Sequence, residues 1–169
     1  DAEALTLTLT ADFAAPAARV WDAFTEPRQL ERFWGPPGYP ATFTTFDFEV
    51  GGTALYRMTS PHGEESFGSW EFLEIAPKSS FAVLDQFADA DGNASAEMPA
   101  SRMTFAIAPT DAGSRLVSTT YFTSTEALEQ LVGMGMVEGV TMAMNQLDRV
   151  LEAEVALLDE VEELHATAR

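Results

Sequence analysis

Residues 133–151, GMGMVEGVTMAMNQLDRVL, form the stretch that decides the fold, because a methionine-rich entry marked by glycines leads into one long helical pattern. Val140, Met144, Leu147 and Leu151 follow the i, i+4, i+7, i+11 spacing of a single buried stripe. Methionine side chains are flexible and polarizable, so they suit an apolar surface that must fit varied shapes. The stretch therefore predicts a long C-terminal helix that either roofs a cavity or fills an ordinary core.

Most of the chain before this helix has the pattern of β-strands. Residues 5–10 alternate leucine and threonine, which is the period of a half-buried strand. Further strand patterns cover residues 42–49, 53–59, 67–75, 81–87, 102–108 and 115–122. Short links containing glycine, proline and aspartate separate them, which favours an antiparallel meander. Pro16 and Pro27 each begin a short helix, the second carrying Leu30, Phe33 and Trp34, and another helical region starts near Ser124.

These elements predict an α+β fold in a single domain spanning residues 1–169. A curved antiparallel sheet carries two short N-terminal helices, and one long C-terminal helix covers its concave face. The core covers about residues 5–152, and residues 153–169 extend the last helix as an acidic tail. In that tail Val155, Leu158, Val161 and Leu164 are three or four residues apart. Such a stripe can continue packing along the domain or pair with a second copy in a homodimer.

Charge and composition exclude several classes of function. Acidic residues number 27 against 9 basic ones, for a net charge of -18, which argues against nucleic-acid binding and against an anionic membrane surface. Cysteine is absent, which excludes disulfides and thiolate chemistry. With only His62, in a turn pattern, and His165, in the tail, neither a metal site nor another cofactor is expected. No membrane-spanning run or signal-peptide pattern occurs, so a cytoplasmic protein is the default.

Several short strings, in order, resemble one known superfamily. They are VWDAFTEP at residues 20–27, FWGPPG at 33–38, FEVGG at 48–52, EIAP at 74–77, GSRL at 113–116 and EGV at 138–140. Their order and spacing resemble the START-like helix-grip superfamily over about residues 5–152. Within it, the likeness is to the branch related to the C-terminal domain of the activators of the Hsp90 ATPase.

The resemblance implies a curved antiparallel sheet gripped by the long C-terminal helix, with an internal and largely apolar pocket between them. It does not select an activity. The superfamily includes carriers of lipids and other hydrophobic ligands, aromatic cyclases, self-sacrificing resistance proteins, stress regulators and co-chaperone domains.

Strand alternation and the helical stripe indicate which side chains face such a pocket. The predicted ligand-binding residues are Trp34, Tyr56, Met58, Trp70, Asp85, Met103, Phe105, Thr120, Val140 and Met144. Asp85 is the exception in this apolar set, because it shares strand parity with Phe81, Val83 and Phe87. Similar proteins often carry an aromatic residue there. If Asp85 is buried, its raised pKa suits an acid, a base or a hydrogen-bond anchor, but the pattern favours a flared strand end where the carboxylate meets water.

Three functions remain open from the sequence. The first is binding of a small hydrophobic ligand in the pocket, with Asp85 and Thr120 as polar contacts. The second is an enzyme that cyclises, dehydrates or hydrolyses a hydrophobic or aromatic substrate, for which Asp85 is the only catalytic candidate. The third is a co-chaperone-like interaction domain, which is less expected for a solitary domain without the N-terminal domain that full activators carry.

Overall fold

The computed structural model describes the backbone of residues 1 and 3–167 and the side chains of residues 1 and 3–154. Within these residues seven strands form one sheet: β1 (Thr6–Phe13), β2 (Ala41–Phe46), β3 (Thr53–Thr59), β4 (Glu65–Ala76), β5 (Ser80–Ala88), β6 (Ser101–Thr110) and β7 (Gly113–Tyr121). The helices are α1 (Ala17–Thr25), α2 (Pro27–Leu30), α3 (Thr125–Gly133) and α4 (Met136–Thr167). The predicted α+β helix-grip architecture is confirmed.

The sheet has the strand order β1-β7-β6-β5-β4-β3-β2, and every neighbouring pair is antiparallel. Strands β2 to β7 follow one another as a meander, as the short turn signals predict. The N-terminal strand β1 joins the far edge by pairing with β7. Register shifts between Phe43 and Thr45 and between Phe72 and Glu74 interrupt the ladders. Such bulges bend a strand and increase its twist, so they help the sheet to curve.

Helix α4 covers the inner face of the sheet and packs against it with the apolar stripe that the sequence spacing predicts. Met144, Leu147 and Leu151 are buried, whereas Val140, one turn earlier, is only partly buried. Ser124 caps α3 by accepting a hydrogen bond from the Ala127 backbone N–H at 3.0 Å. The side chains of the tail stripe, from Val155 onward, lie outside the described residues.

Polar contacts attach α4 to the N-terminal helices. The Gln146 amide donates to the carbonyl oxygens of Phe33 (3.1 Å) and Gly35 (2.6 Å). Further along α4, Glu154 accepts from Arg19 at 2.7 and 2.8 Å and from Arg32 at 2.7 Å. Burial alone would raise the pKa of Glu154, but the bonds from the two guanidinium groups lower it below its usual range. These bonds hold the middle of α4 against α1 and against the turns that follow α2.

Two boundaries differ from the sequence prediction by three residues or more. Helix α2 ends at Leu30, so Phe33 and Trp34 lie in the turns that follow it. Gly35 has a φ of +97°, a left-handed conformation that ends the helical path there. Strand β2 ends at Phe46, where the chain enters a turn closed by the Gly52 N–H bonding to the Glu49 carbonyl at 2.8 Å.

Among the described helices, none is both long enough and apolar enough to cross a membrane.

Candidate functional site

A cavity of about 260 Å³, partly open to solvent, lies between the sheet and the start of α4. Its walls come from strands β3, β5 and β6, from the turn after α2, and from the junction of α3 with α4. We call it the central cavity. It is lined by Trp34, Gly35, Pro36, Tyr56, Met58, Asp85, Phe87, Pro99, Ser101, Met103, Leu131, Met134, Gly135, Met136, Gly139, Val140 and Ala143.

Small residues on α4 leave the space that forms the central cavity. Gly139 and Ala143 lie one turn apart on the same face of the helix, and both border the cavity. A Cβ placed on Gly139 would meet no atom within 4 Å. Gly135, with a φ of +92°, makes the turn that redirects the chain from α3 into α4. The helix therefore roofs the sheet without filling the volume beneath its first two turns.

Asp85, on β5, is the acidic residue in this apolar wall. Its Oδ1 accepts hydrogen bonds from the Tyr56 hydroxyl at 3.2 Å and from the Trp70 indole N–H at 3.1 Å. Tyr56 and Trp70 come from β3 and β4, so three adjacent strands converge on one carboxylate oxygen. Among the described side chains, none donates to the second oxygen, Oδ2.

Gly68 provides the room for this arrangement. It is the direct partner of Tyr56 across β3 and β4. A Cβ at position 68 would overlap the outer end of the Tyr56 ring, so the ring lies directly over the glycine backbone. Gly68 therefore lets Tyr56 lie flat on the sheet and reach Asp85.

Burial raises the pKa of Asp85 to about 6, although the hydrogen bonds from Tyr56 and Trp70 oppose that rise. The pKa of Tyr56 is raised well above its usual value, first by burial and then by the negative charge of Asp85. At neutral pH the site thus holds a mostly ionised carboxylate beside a protonated phenol. The sequence favoured a solvated strand end for Asp85, but the structure places the carboxylate partly buried on the cavity wall and hydrogen-bonded to both rings.

Six of the ten residues predicted to bind ligand lie on the wall of the central cavity: Trp34, Tyr56, Met58, Asp85, Met103 and Val140. Trp70 and Phe105 are fully buried in the aromatic core behind that wall. Thr120 points inward but lies on β7, in a cleft near β1. Met144 borders a groove between α4 and β1. Strand alternation predicts which side chains point inward, but it does not predict which of them border the cavity.

Sequence reasoning missed several residues of the wall. Ser101 lies directly opposite Asp85 across β5 and β6 and is buried. Phe87 lies two residues beyond Asp85 on the same side of β5, so strand alternation could have predicted that it borders the cavity. Pro99, Leu131 and Met136 come from loops and helix ends, for which strand alternation provides no signal.

The described residues contain no group of three or more His, Asp or Glu side chains placed to hold a metal ion. His62 lies exposed in the turn between β3 and β4. Trp34 borders the central cavity, and its indole N–H is buried beside the Tyr56 hydroxyl; among the described residues this N–H has no partner at hydrogen-bond geometry.

Replacing Tyr56 by phenylalanine should raise the pKa of Asp85 above its value of about 6, because the variant loses the phenol that stabilises the carboxylate. A hydrogen bond to a charged group contributes about 1.5 kcal/mol, which corresponds to roughly a tenfold change in the protonation equilibrium. A titration followed by NMR of the aspartate side-chain carbons would measure it. An unchanged Asp85 pKa would show that Tyr56 and Asp85 do not interact in solution.

Comparison with known proteins identifies the family. Residues 14–152 match the sequence model described as activator of Hsp90 ATPase homolog 1-like protein. The chain belongs to this family. The match covers most of the chain, as the resemblance in the sequence predicts. No curated protein matches it.

Solved structures of related proteins have the same fold. Protein Ms6760 from Mycobacterium smegmatis is 43% identical, with 89% of this chain and 93% of that chain covered and a TM-score of 0.83. A protein from Arthrobacter aurescens is 40% identical, with 90% and 89% covered and a TM-score of 0.86. A family member from Silicibacter pomeroyi, 22% identical with 88% and 99% covered and a TM-score of 0.70, shares the fold. The family is compatible with ligand binding and with co-chaperone-like roles.

Proposed function

We propose that the chain binds a small hydrophobic molecule in the central cavity. The observation that carries the proposal is the cavity itself: about 260 Å³ of open volume beneath α4, bordered mainly by apolar side chains. Clefts of similar volume occur elsewhere on the described structure, but their linings are more polar, so the apolar lining is what distinguishes the central cavity. Small-molecule sites are concave and mostly apolar, with a few placed polar groups, and Asp85 and Ser101 supply such groups here.

The volume bounds the size of the ligand. A dry cavity of about 150 Å³ accommodates one benzene molecule, so 260 Å³ suits a compound of roughly ten non-hydrogen atoms, or the inserted end of a longer one. Phe87 and Met134 are exposed and border the same space, so we expect the entrance at the β5 end and the α3–α4 junction. A longer ligand would leave the cavity past these two side chains.

Filling the cavity from its roof should weaken ligand binding without harming the fold. Gly139 lies within α4, and a Cβ there meets open space, so Gly139→Phe should project its ring into the cavity. Gly139→Ala is the matched control, because it adds only one methyl group and raises helix propensity by about 1 kcal/mol. We expect the wild type and Gly139→Ala to bind 2-phenylethanol alike and Gly139→Phe to bind at least about tenfold more weakly.

Calorimetry and NMR titration would measure these affinities. Native mass spectrometry of protein purified from its own host would show which compound it retains. Equal binding by Gly139→Phe would place the ligand elsewhere. If the wild type neither retains a compound nor binds the probe, the proposal fails.

A second candidate function is catalysis on a hydrophobic substrate, and the placement of Asp85 favours it. A carboxyl group with a pKa of about 6, on the wall of a cavity, has the properties of a general acid or base near neutral pH. The compound recovered from the host distinguishes the two functions: a carrier returns it unchanged, whereas an enzyme converts it and loses that turnover in Asp85→Asn.

A further inference from the structure

We propose that the central cavity selects hydrophobic ligands that carry an ammonium group, bound with the cation against Asp85. This inference rests on the ligand-binding function proposed above and adds the chemical class of the ligand. It follows from three observations: a carboxylate without a cationic partner, aromatic rings around it, and the free oxygen that it presents.

The first observation is the unbalanced charge. Among the described residues that line the cavity, Asp85 is the only carboxylate, and Lys, Arg and His are absent. Only neutral groups, the Tyr56 phenol and the Trp70 indole, stabilise the carboxylate. Charges taken out of water are ordinarily paired, because an isolated buried charge loses its hydration without compensation. A ligand that brings a positive charge supplies the missing partner.

The second observation is the aromatic surface. Trp34, Tyr56 and Phe87 all border the cavity together with Asp85. The faces of aromatic rings attract cations, and aromatic residues recur in sites for ammonium groups. A carboxylate among aromatic rings thus offers both an ion pair and cation–π contacts to one head group, while the remaining apolar wall contacts the hydrocarbon part.

The third observation is the free acceptor oxygen of Asp85. Tyr56 and Trp70 both donate to Oδ1, which leaves Oδ2 for a donor from the ligand. An ammonium group has only donors, so it matches this acceptor. A carboxylate ligand would instead face like charge at short range. The chain's net charge of -18 further favours cations over anions at the entrance.

One group on the wall competes with this assignment. Among the described residues the buried indole N–H of Trp34 has no partner at hydrogen-bond geometry, and a ligand that uncovered it would gain from a hydroxyl head group, which accepts as well as donates. An alcohol is therefore the critical comparison, because it can donate to Asp85 and accept from Trp34 but brings no charge.

The test compares three ligands on one skeleton: 2-phenylethylamine, 2-phenylethanol and phenylacetate. Their affinities are measured by calorimetry at about pH 8, where Asp85 is ionised, in about 0.15 M salt to screen the acidic surface. We expect the amine to bind at least about tenfold more tightly than the alcohol, and phenylacetate to bind more weakly than either.

Two variants locate the preference. In Asp85→Asn the amine should bind no more tightly than the alcohol, whereas in Asp111→Asn, which removes the same charge from an exposed turn, the preference should remain. An alcohol that binds the wild type as tightly as the amine overturns the ammonium assignment and leaves the ligand-binding function intact. An amine preference that survives in Asp85→Asn also overturns it, because the cation is then held by the acidic surface. Failure of all three ligands to bind overturns the ammonium assignment, and the ligand-binding function fails with it if the protein also retains no compound from its host.

Discussion

Replacing Phe105 by alanine should lower the free energy of unfolding by about 3–5 kcal/mol. Phe105 is 0% exposed, and its ring lies 4.9 Å from that of Phe81 and 5.3 Å from that of Phe24, between ring centroids. Trp34 and Trp70 lie within 6.2 Å of it. The substitution removes a buried ring and its aromatic contacts and leaves a void that the neighbouring rings cannot close.

Met58→Ala is the matched control for this prediction. Met58 is only partly buried and borders the central cavity, so its truncation enlarges an existing space and should cost less. Urea unfolding followed by tryptophan fluorescence would measure both variants. Equal and small losses for the two would mean that Phe105 faces the cavity in solution, as the sequence-based prediction of a ligand-binding role for it requires.

Replacing Asp85 by asparagine should change how stability depends on pH. Burial raises the pKa of Asp85 from 3.8 to about 6, so the folded protein holds this proton more strongly than the unfolded chain does. Ionisation therefore destabilises the fold, and the contribution of Asp85 to stability falls as pH rises from about 4 to about 6 and is constant above that. At about 1.36 kcal/mol per pH unit, the penalty at neutral pH reaches about 2–3 kcal/mol.

Asparagine retains an oxygen that can accept from Tyr56 and Trp70 but does not ionise. The stability of Asp85→Asn relative to the wild type should therefore rise by about 2–3 kcal/mol between about pH 4 and about pH 7. Denaturant unfolding across this range measures the difference. Asp111→Asn, in an exposed turn, should show no comparable rise. If the stability of Asp85→Asn relative to the wild type did not change with pH, the carboxylate of Asp85 would be solvated. The sequence analysis predicted such a solvated position at a strand end.

The strands and the helical stripe of α4 could be read from the sequence, because each rests on a local period. Tyr56 and Met58 share the inward face of β3, as alternation predicts, and Leu147 and Leu151 are buried as the helical spacing predicts. These patterns depend only on which face of an element meets the core, and the hydrophobic effect sets that face.

The limits of the cavity could not be read in the same way. Trp70 and Tyr56 both point inward, yet Trp70 is enclosed by other rings while Tyr56 borders open volume. What separates them is the position of α4 and the absence of bulk at Gly139 and Ala143, which depends on how elements distant in sequence pack together. The solvation of Asp85 was misjudged for the same reason: parity gave its direction, but nothing local indicated that Tyr56 and Trp70 would converge on it.

The pairing of β1 with β7 has a consequence for the order of folding. Thr6 lies opposite Tyr121, so β1 cannot form its backbone hydrogen bonds until β7 is present. During synthesis the meander from β2 to β6 can assemble from neighbouring segments, while β1 remains without its partner until β7 emerges. Pairings between distant segments carry a large loop-closure entropy and slow the folding of a domain. Closure of this sheet, with α4 made later still, is therefore expected to be the slow step.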